Sequence, residues 1–310
     1  MTVERADIYT RLTDIIITAL EGATSPTEWP WIKGAQAGTP INVVSGKAYR
    51  GVNRLILGCA VASGSDRRWA TFNQWKGLGA MVRKGQKGMP IAFYGDLYVN
   101  ENDERVDPGT PGARKILYAK AATVFSADQV DGWNGATVEM PATVAGADSL
   151  DDVESFIGHT GAQIVEKGDK AFYHPLFDNI TMPERKRFKD TAEASATVHF
   201  YSTLLHELTH WTGAKARCDR DLKGRFGSES YAMEELVAEM ASAFLAADLG
   251  ISPLPRADNV SYLANWLAVL KGDKKAIFTA SAAAAKAADF LHACQPEAVA
   301  DEADEMAEAA

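Results

Sequence analysis

The stretch LLHELTHWTG, Leu204–Gly213, restricts this chain more than any other feature of its sequence. It sets two histidines four residues apart, with a glutamate directly after the first. On an α-helix, residues i and i+4 share one face a turn apart, so His206 and His210 can aim two imidazole nitrogens at one ion, with Glu207 beside it as a general base. Tyr201, Leu204, Leu205 and Leu208 recur at helical spacing on the other side. This is the pattern of a helix that buries one face and lines a cleft with the other. A solvated helix with two surface histidines is the competing reading. With only six histidines in 310 residues, it needs both the triplet and its apolar frame to arise by coincidence.

A catalytic zinc takes three protein ligands and keeps a position open, so HELTH is one ligand short. His174 lies in FYHPLF, a strand-like run ending at proline, and His199 is seven residues before His206, two turns away on the same helix. The metzincin continuation is absent, because position 216 is Ala216. Downstream, SYAMEELVAEMASAFLA is strongly helical and carries Glu234, Glu235 and Glu239, which makes it the natural second helix. Zn2+ is the expected ion, and Mn2+ or Co2+ suits the same donors. Such an ion acidifies its bound water and polarises a carbonyl, while Glu207 carries the proton to the leaving amine, so peptide hydrolysis is the implied reaction. LFDNITMP is a candidate edge strand for an extended peptide. Gly213 is placed to end the helix, and Arg217 and Arg220 either meet substrate or face water.

At 46% hydrophobic residues the chain can bury two cores of ordinary size. Its longest apolar runs, DIIITAL and SYLANWLAVL, are too short to span a bilayer, and the N-terminus lacks a basic-then-apolar signal arrangement. A cytoplasmic protein without a membrane partner is expected. Cys59, Cys218 and Cys294 are scattered and without a CxxC spacing, which argues against a disulfide framework or a thiolate zinc site.

Charge is segregated. The chain sums to −9, yet residues 33–94 hold ten Lys or Arg against the single acid Asp66, a local +9 that leaves −18 for the rest. A concentrated basic surface attracts polyanions even on an acidic molecule. The bases interleave with Trp31, Tyr49, Trp69, Phe72, Trp75, Phe93 and Tyr94. That is the chemistry of single-stranded nucleic-acid binding, with cations along the phosphates and rings stacked on bases. Buried aromatics and a solvated basic face are the competing reading. VRKGQKGMP reads as a basic turn that brings Lys84, Lys87 and backbone N–H groups near an anion.

Two domains of an α+β chain follow. Residues 1–130 read as a mixed α/β nucleic-acid-binding domain: an amphipathic opening helix, then the β-like runs INVVSG, IAFYGDLYVN and KILYAKAATVF, with RRWATFNQWKGLGAMV helical between them. Residues 131–147, rich in Gly, Ala and Thr, read as the linker. Residues 148–294 form a mainly helical domain. It opens on a helix capped by Asp148 or Ser149, continues through strands in GAQIVEKGDKAFYHP and DNITMP, and then reaches a helix from about Thr191 through Trp211. Residues 295–310, with six acids and no bases, read as a frayed or solvated acidic tail.

The order WPWIKG, GTPINVVSGKAYRGVNRLILG, RRWATFNQWKGLGAMVRKGQKG, VFSADQ, HELTHWTG and YAMEELVAE resembles ArdC-type antirestriction proteins of plasmids and phages, over nearly the whole chain. The resemblance implies an N-terminal single-stranded DNA-binding domain joined to a zincin-like, gluzincin-type metallopeptidase domain. It also implies protection of incoming DNA from host restriction, with a protein of the restriction machinery as a candidate substrate. A DNA-coating protector with a structural or vestigial metal site is the alternative. His206, Glu207, His210 and Glu235 carry over as metal and catalytic residues. The matching stretches and their chemistry nominate Lys47, Tyr49, Arg50, Asn53, Arg68, Trp69, Trp75, Lys76, Arg83, Lys84 and Lys87 for DNA contact.

Successive helical residues are rotated by about 100°, so Glu234 and Glu235 cannot both face one point. Glu235 shares a face with Ala238, Glu239 and Ser242, whose small members permit close approach to the HELTH helix. Glu235 is therefore the expected third ligand. Glu239, one turn on, would accept the outer N–H of a ligating histidine, and Glu234 would point away from the ion.

Overall fold

The computed structural model describes residues 7–61, 65–135, 150–222, 224, 228–252, 254 and 262–296. The chain opens on α1 (Ile8–Gly22), started by Asp7, whose carboxylate accepts the Tyr9 amide at 2.7 Å. Next come α2 (Pro30–Gln36), with proline at its first position, β1 (Ile41–Asn42) and α3 (Val52–Ala60). α2 and α3 cross at glycines: a Cβ on Gly58 would sit 2.3 Å from the Pro30 carbonyl oxygen, so the closeness of this crossing depends on its absence.

RRWATFNQWKGLGAMV, expected as one helix, divides into three elements. Arg68–Thr71 is strand β2, Phe72–Gly77 is the short helix α4, and Met81–Val82 is strand β3. A capping box explains the break: Thr71 Oγ1 accepts the Gln74 amide while the Gln74 side chain takes the Thr71 amide, so no helix extends upstream of Phe72. Two long strands follow, β4 (Met89–Val99) and β6 (Arg114–Ser126), with the short β5 (Arg105–Val106) between them. They build a five-stranded sheet ordered β1-β2-β6-β4-β5, antiparallel except for the β1–β2 pair. β7 (Val130–Asp131) pairs with β3, so the ladder reaches the first residue expected in the linker. From 136 to 149, which covers most of that linker and the expected caps Asp148 and Ser149, the chain lies outside the described residues.

The second half runs α5 (Leu150–His159), β8 (Gln163–Glu166), β9 (Phe172–His174), β10 (Asn179–Met182), α6 (Ala196–Thr212), α7 (Glu229–Asp248), α8 (Leu263–Gly272) and α9 (Ala276–Ala293). Helix α6, which carries HELTH, starts five residues later than expected, because Ser195 caps it by accepting the Val198 amide. The small sheet is ordered β8-β10-β9, so the DNITMP strand lies at its centre. The strand at the edge near α6 is β9, not the one expected to receive a peptide. The acidic tail from 297 onward lies outside the described residues.

Two packing units place the site. Leu204, Leu205 and Leu208 of α6 are buried with Val153 of α5 and Ile180 and Met182 of β10, which holds the back of α6 still. A larger core runs through both halves of the sequence, joining α1–α3 to α7–α9. At its centre Trp29, Trp31 and Trp266 pack with ring centroids 5.3–5.8 Å apart. Arg54 of α3, 8% exposed, crosses the same boundary to the Phe244 carbonyl and to Asp248 at the end of α7, each 3.1 Å away. The two halves therefore share a core.

Candidate metal centre

α6 and α7 bring His206, His210 and Glu235 together, all three within 4.8 Å of one another. His206 Nε2 lies 3.1 Å from His210 Nε2 and 3.4 Å from Glu235 Oε2, and His210 Nε2 lies 3.6 Å from Glu235 Oε1. Donors held about 2.0–2.1 Å from a tetrahedral ion stand roughly 3.3–3.4 Å apart, so the triangle has the size of one face of a coordination shell. Its chemistry fits too. Two imidazole nitrogens turned towards each other and towards a carboxylate are stabilised by a cation between them. His206 is 1% and Glu235 8% exposed, so water does little to screen this set.

Each of the three side chains has a polar group behind it. His210 Nδ1 lies 3.0 Å from Glu234 Oε1. An ionised carboxylate only accepts, so Nδ1 carries the proton and Nε2 keeps its lone pair for a metal. His206 Nδ1 faces Glu239 Oε1 at 3.6 Å, with Glu239 2% exposed. Tyr231, one turn before Glu235, is hydrogen-bonded to its carboxylate, and the Tyr262 hydroxyl reaches Tyr231 Oη at 3.4 Å. Burial alone would raise the Glu235 carboxyl. His206, His210 and Tyr231 outweigh it and bring its pKa down to about 2. Burial also raises the Tyr231 hydroxyl, helped by Tyr262 and Glu235, so that it remains a donor at neutral pH.

Glu207, 3% exposed, lines a cavity of about 330 Å3 together with the three ligand residues, Phe172, Tyr173 and Tyr262. The Tyr173 amide of β9 donates to Glu207 Oε2 at 3.0 Å, which aims the carboxylate along the cavity wall. Neither His174 nor His199 joins the cluster; His199 Nε2 meets Thr191 Oγ1 instead, at 3.0 Å.

Five neighbours do more than their sequence context suggests. Glu234 lies outside the ligand triangle as expected, but it is the residue that touches His210 Nδ1 rather than an idle surface acid. Arg220 grips Glu234, and Arg217 bonds the Trp211 carbonyl and lies 3.9 Å over the Trp211 ring, so neither arginine simply faces water. Tyr231 and Tyr262 gave no sequence signal beyond standing beside EELVAE or inside an apolar run.

The basic region divides sharply. Trp31, Trp69 and Trp75 are 1%, 2% and 0% exposed, and Trp75 Nε1 donates to the Phe125 carbonyl, so none offers a ring face to solvent. Arg68, 6% exposed, is forked onto Asp66. Asn53 exchanges two 2.7 Å bonds with the backbone of Ala92, closing the free edge of β4. Tyr49 is half-buried and accepts from Asn42 Nδ2, Arg50 pairs with Asp289 of α9, and Arg83 bonds the Val130 carbonyl. Lys47, Lys76, Lys84 and Lys87 are exposed, with no ion-pair partner among the described residues. The exposed rings are Phe72 (45%), Phe93 (55%) and Tyr94 (41%). Lys76 lies one turn from Phe72 on α4.

A helix-borne His-Glu-x-x-His joined by a carboxylate from the next helix defines a zincin-like metallopeptidase domain, and residues 151–283 match the family of zincin-like metallopeptidases. Residues 6–125 match the N-terminal domain of the anti-restriction factor ArdC. With both domains in that order, the chain belongs to the ArdC antirestriction family. Uncharacterized protein y4eC of Sinorhizobium fredii is 42% identical over 94% of each chain. A DNA primase TraC of Escherichia coli is 36% identical over 92% of this chain, which covers only 20% of that primase. The antirestriction ArdC protein of plasmid R388, solved metal-free, is 35% identical with a TM-score of 0.75, covering 93% of this chain and 97% of that one. Its Mn(II)-bound structure gives 0.74, over 93% and 98%. No helix among the described residues is long and apolar enough to cross a membrane.

Proposed function

We propose that this protein is a divalent-metal-dependent peptidase tied to a single-stranded DNA-binding domain, and that together they protect incoming plasmid or phage DNA from host restriction. One observation carries the enzymatic half. Glu207 is buried beside the ligand triangle, takes no part in it, and is aimed along an open cavity by the Tyr173 amide. A purely structural site has no use for such a base, which weighs against a vestigial metal domain.

His206, His210 and Glu235 would hold the ion, with zinc or manganese suited to the donors. The ion supplies Lewis acidity to the cavity. Glu207 takes a proton from the attacking water and delivers it to the leaving amine nitrogen as the peptide bond breaks, so the proton count closes on the carboxylate. Tyr231 and Glu234 hold Glu235 and His210 in place throughout. The substrate is a polypeptide, and a protein of the host restriction machinery fits the family's biology. On the N-terminal side, Phe72, Phe93 and Tyr94 are the rings available for stacking, while Lys47, Lys76, Lys84 and Lys87 supply charge for phosphates.

Chelation and reconstitution test the enzymatic half. An unfolded casein mixture should be cleaved by the metal-loaded protein, spared after chelator treatment, and cleaved again when Zn2+ or Mn2+ is restored. Cleavage that ignores the chelator rules the reading out.

A further inference from the structure

Arg220 lies in the segment after α6, outside both motifs that mark the metal site, yet its guanidinium joins the two ligand-bearing helices. Nε and Nη2 grip the Glu234 carboxylate at 2.9 and 2.8 Å, as a two-point fork. Nη2 also donates to the Thr209 carbonyl at 2.7 Å, and Nη1 donates to Thr212 Oγ1 at 2.8 Å. Thr209 belongs to the last turn of α6, where the helix offers its carbonyls no amide four residues on, and its carbonyl is shared between Arg220 and the Thr212 hydroxyl at 2.6 Å. One side chain therefore bonds both the C-terminal turn of α6 and a carboxylate of α7.

Gly213 leaves room for the approach. A Cβ there would come within 3.1 Å of Arg220 Nη2 and 2.8 Å of Leu222 Cδ2, so the bare backbone at the helix end makes room for the arginine to fold back. Gly213 keeps helical angles (φ −70°, ψ −13°), so its value lies in this space rather than in a left-handed turn. The Arg220 and Glu234 side chains are 10% and 11% exposed, and a planar fork held this far from water cannot be replaced by a mobile ammonium without loss of geometry.

We propose that Arg220 is a positioning residue of the metal centre: the relay Arg220–Glu234–His210 fixes which His210 nitrogen faces the ion and clamps α6 to α7 at the ligand end. Glu234 Oε1 stands 2.8 Å from the Arg220 fork and 3.0 Å from His210 Nδ1, so the arginine sets the carboxylate and the carboxylate sets the imidazole. Removing the fork leaves Glu234 free to turn, and His210 loses both its tautomer preference and its ring angle. Groups that orient metal-bound histidines in this way typically account for about 10–100-fold in metal affinity. The inference rests on the reading that His206, His210 and Glu235 bind a divalent ion.

Mn2+ titration of the full chain, followed by loss of the free-ion electron paramagnetic resonance signal, separates the two. Wild type should bind one ion per chain; failure to do so sinks the metal reading itself. Given that binding, Glu234→Gln and Arg220→Ala should each weaken it about 10–100-fold. In the double variant the arginine change should add little, because its path to His210 runs through Glu234. Arg220→Lys, which keeps the charge and guards against misfolding, should also bind more weakly, and nitrogen NMR should show mixed tautomers for His210. If Arg220→Ala and Arg220→Lys lower only the metal-free melting temperature and leave Mn2+ affinity unchanged, or if the arginine change costs as much in Glu234→Gln as in wild type, the relay is refuted.

Discussion

The metal pocket and the basic N-terminal region were both marked by residue type and spacing, and they fold to opposite outcomes. In the pocket, His206, His210 and Glu235 converge on one point from two helices, with Glu207 beside them and Glu239 behind His206, and the group is mostly buried. In the basic region, the marked residues scatter. Trp69 and Trp75 enter the core, Arg50, Arg68 and Arg83 are bound to acids or carbonyls, and four lysines remain exposed. A metal site needs convergence, and helical spacing produces it locally. A nucleic-acid surface needs exposure, which composition does not encode.

The sharpest break between the regions is expected at the ligands. Glu235→Gln should take bound metal from one ion per chain to near none by elemental analysis, leaving the N-terminal sheet intact by circular dichroism. Next is the core tryptophan. Trp75→Ala should cost about 3–5 kcal/mol of stability in denaturant melts, because it empties a fully buried site against Phe125 and Trp133. Phe93→Ala should instead leave the melt close to wild type and weaken binding to an oligothymidine by about 1–3 kcal/mol in fluorescence anisotropy. If Trp75→Ala folds normally and loses DNA, while Phe93→Ala binds as wild type does, the division of core and surface is reversed.

Smaller effects test the charges. Each of Lys84→Ala and Lys87→Ala should lower the slope of log affinity against log salt by about 0.7 for a single strand, where a phosphate contact is lost. Arg68→Ala should act mainly on stability, since its fork already holds Asp66. The weakest expected signal concerns the shared core. Asp248 is raised by burial, but His292, Arg54 and Thr39 outweigh that and hold its carboxyl below the usual range. A lowered folded-state pKa gives stability that is present above the ordinary carboxylate value, about 4, and lost as the pH falls through the lower one. Acid melts between about pH 5 and 2 should therefore be less steep in Asp248→Asn.

Much of the pocket was legible because its signals are local. HELTH sets two imidazoles and a carboxylate on one helix, and the 100° step separates Glu235 from Glu234. The orienting groups were less visible. Arg220 reaches Glu234 only because the chain turns back over Gly213, and nothing in AKARCDRD announces that turn. The fold was read in outline, with α1, α7 and the long strands in place. The Thr71–Gln74 capping box lay in plain sight, yet the apolar run around it read as helix, and burial on both faces made WAT a strand instead. Which aromatics are exposed depends on pairing across the sheet, with Trp69 opposite Ser126 and Phe93 opposite Lys120, and that register is long-range.

The central claim is that Glu207 serves chemistry rather than metal binding or folding. Glu207→Gln should be measured for bound metal and casein cleavage in one preparation. The account predicts one ion per chain, a melting temperature near wild type, and cleavage reduced by about 10²–10⁴-fold or more. Full cleavage by a metal-loaded Glu207→Gln protein would contradict it, and so would loss of the ion on that substitution.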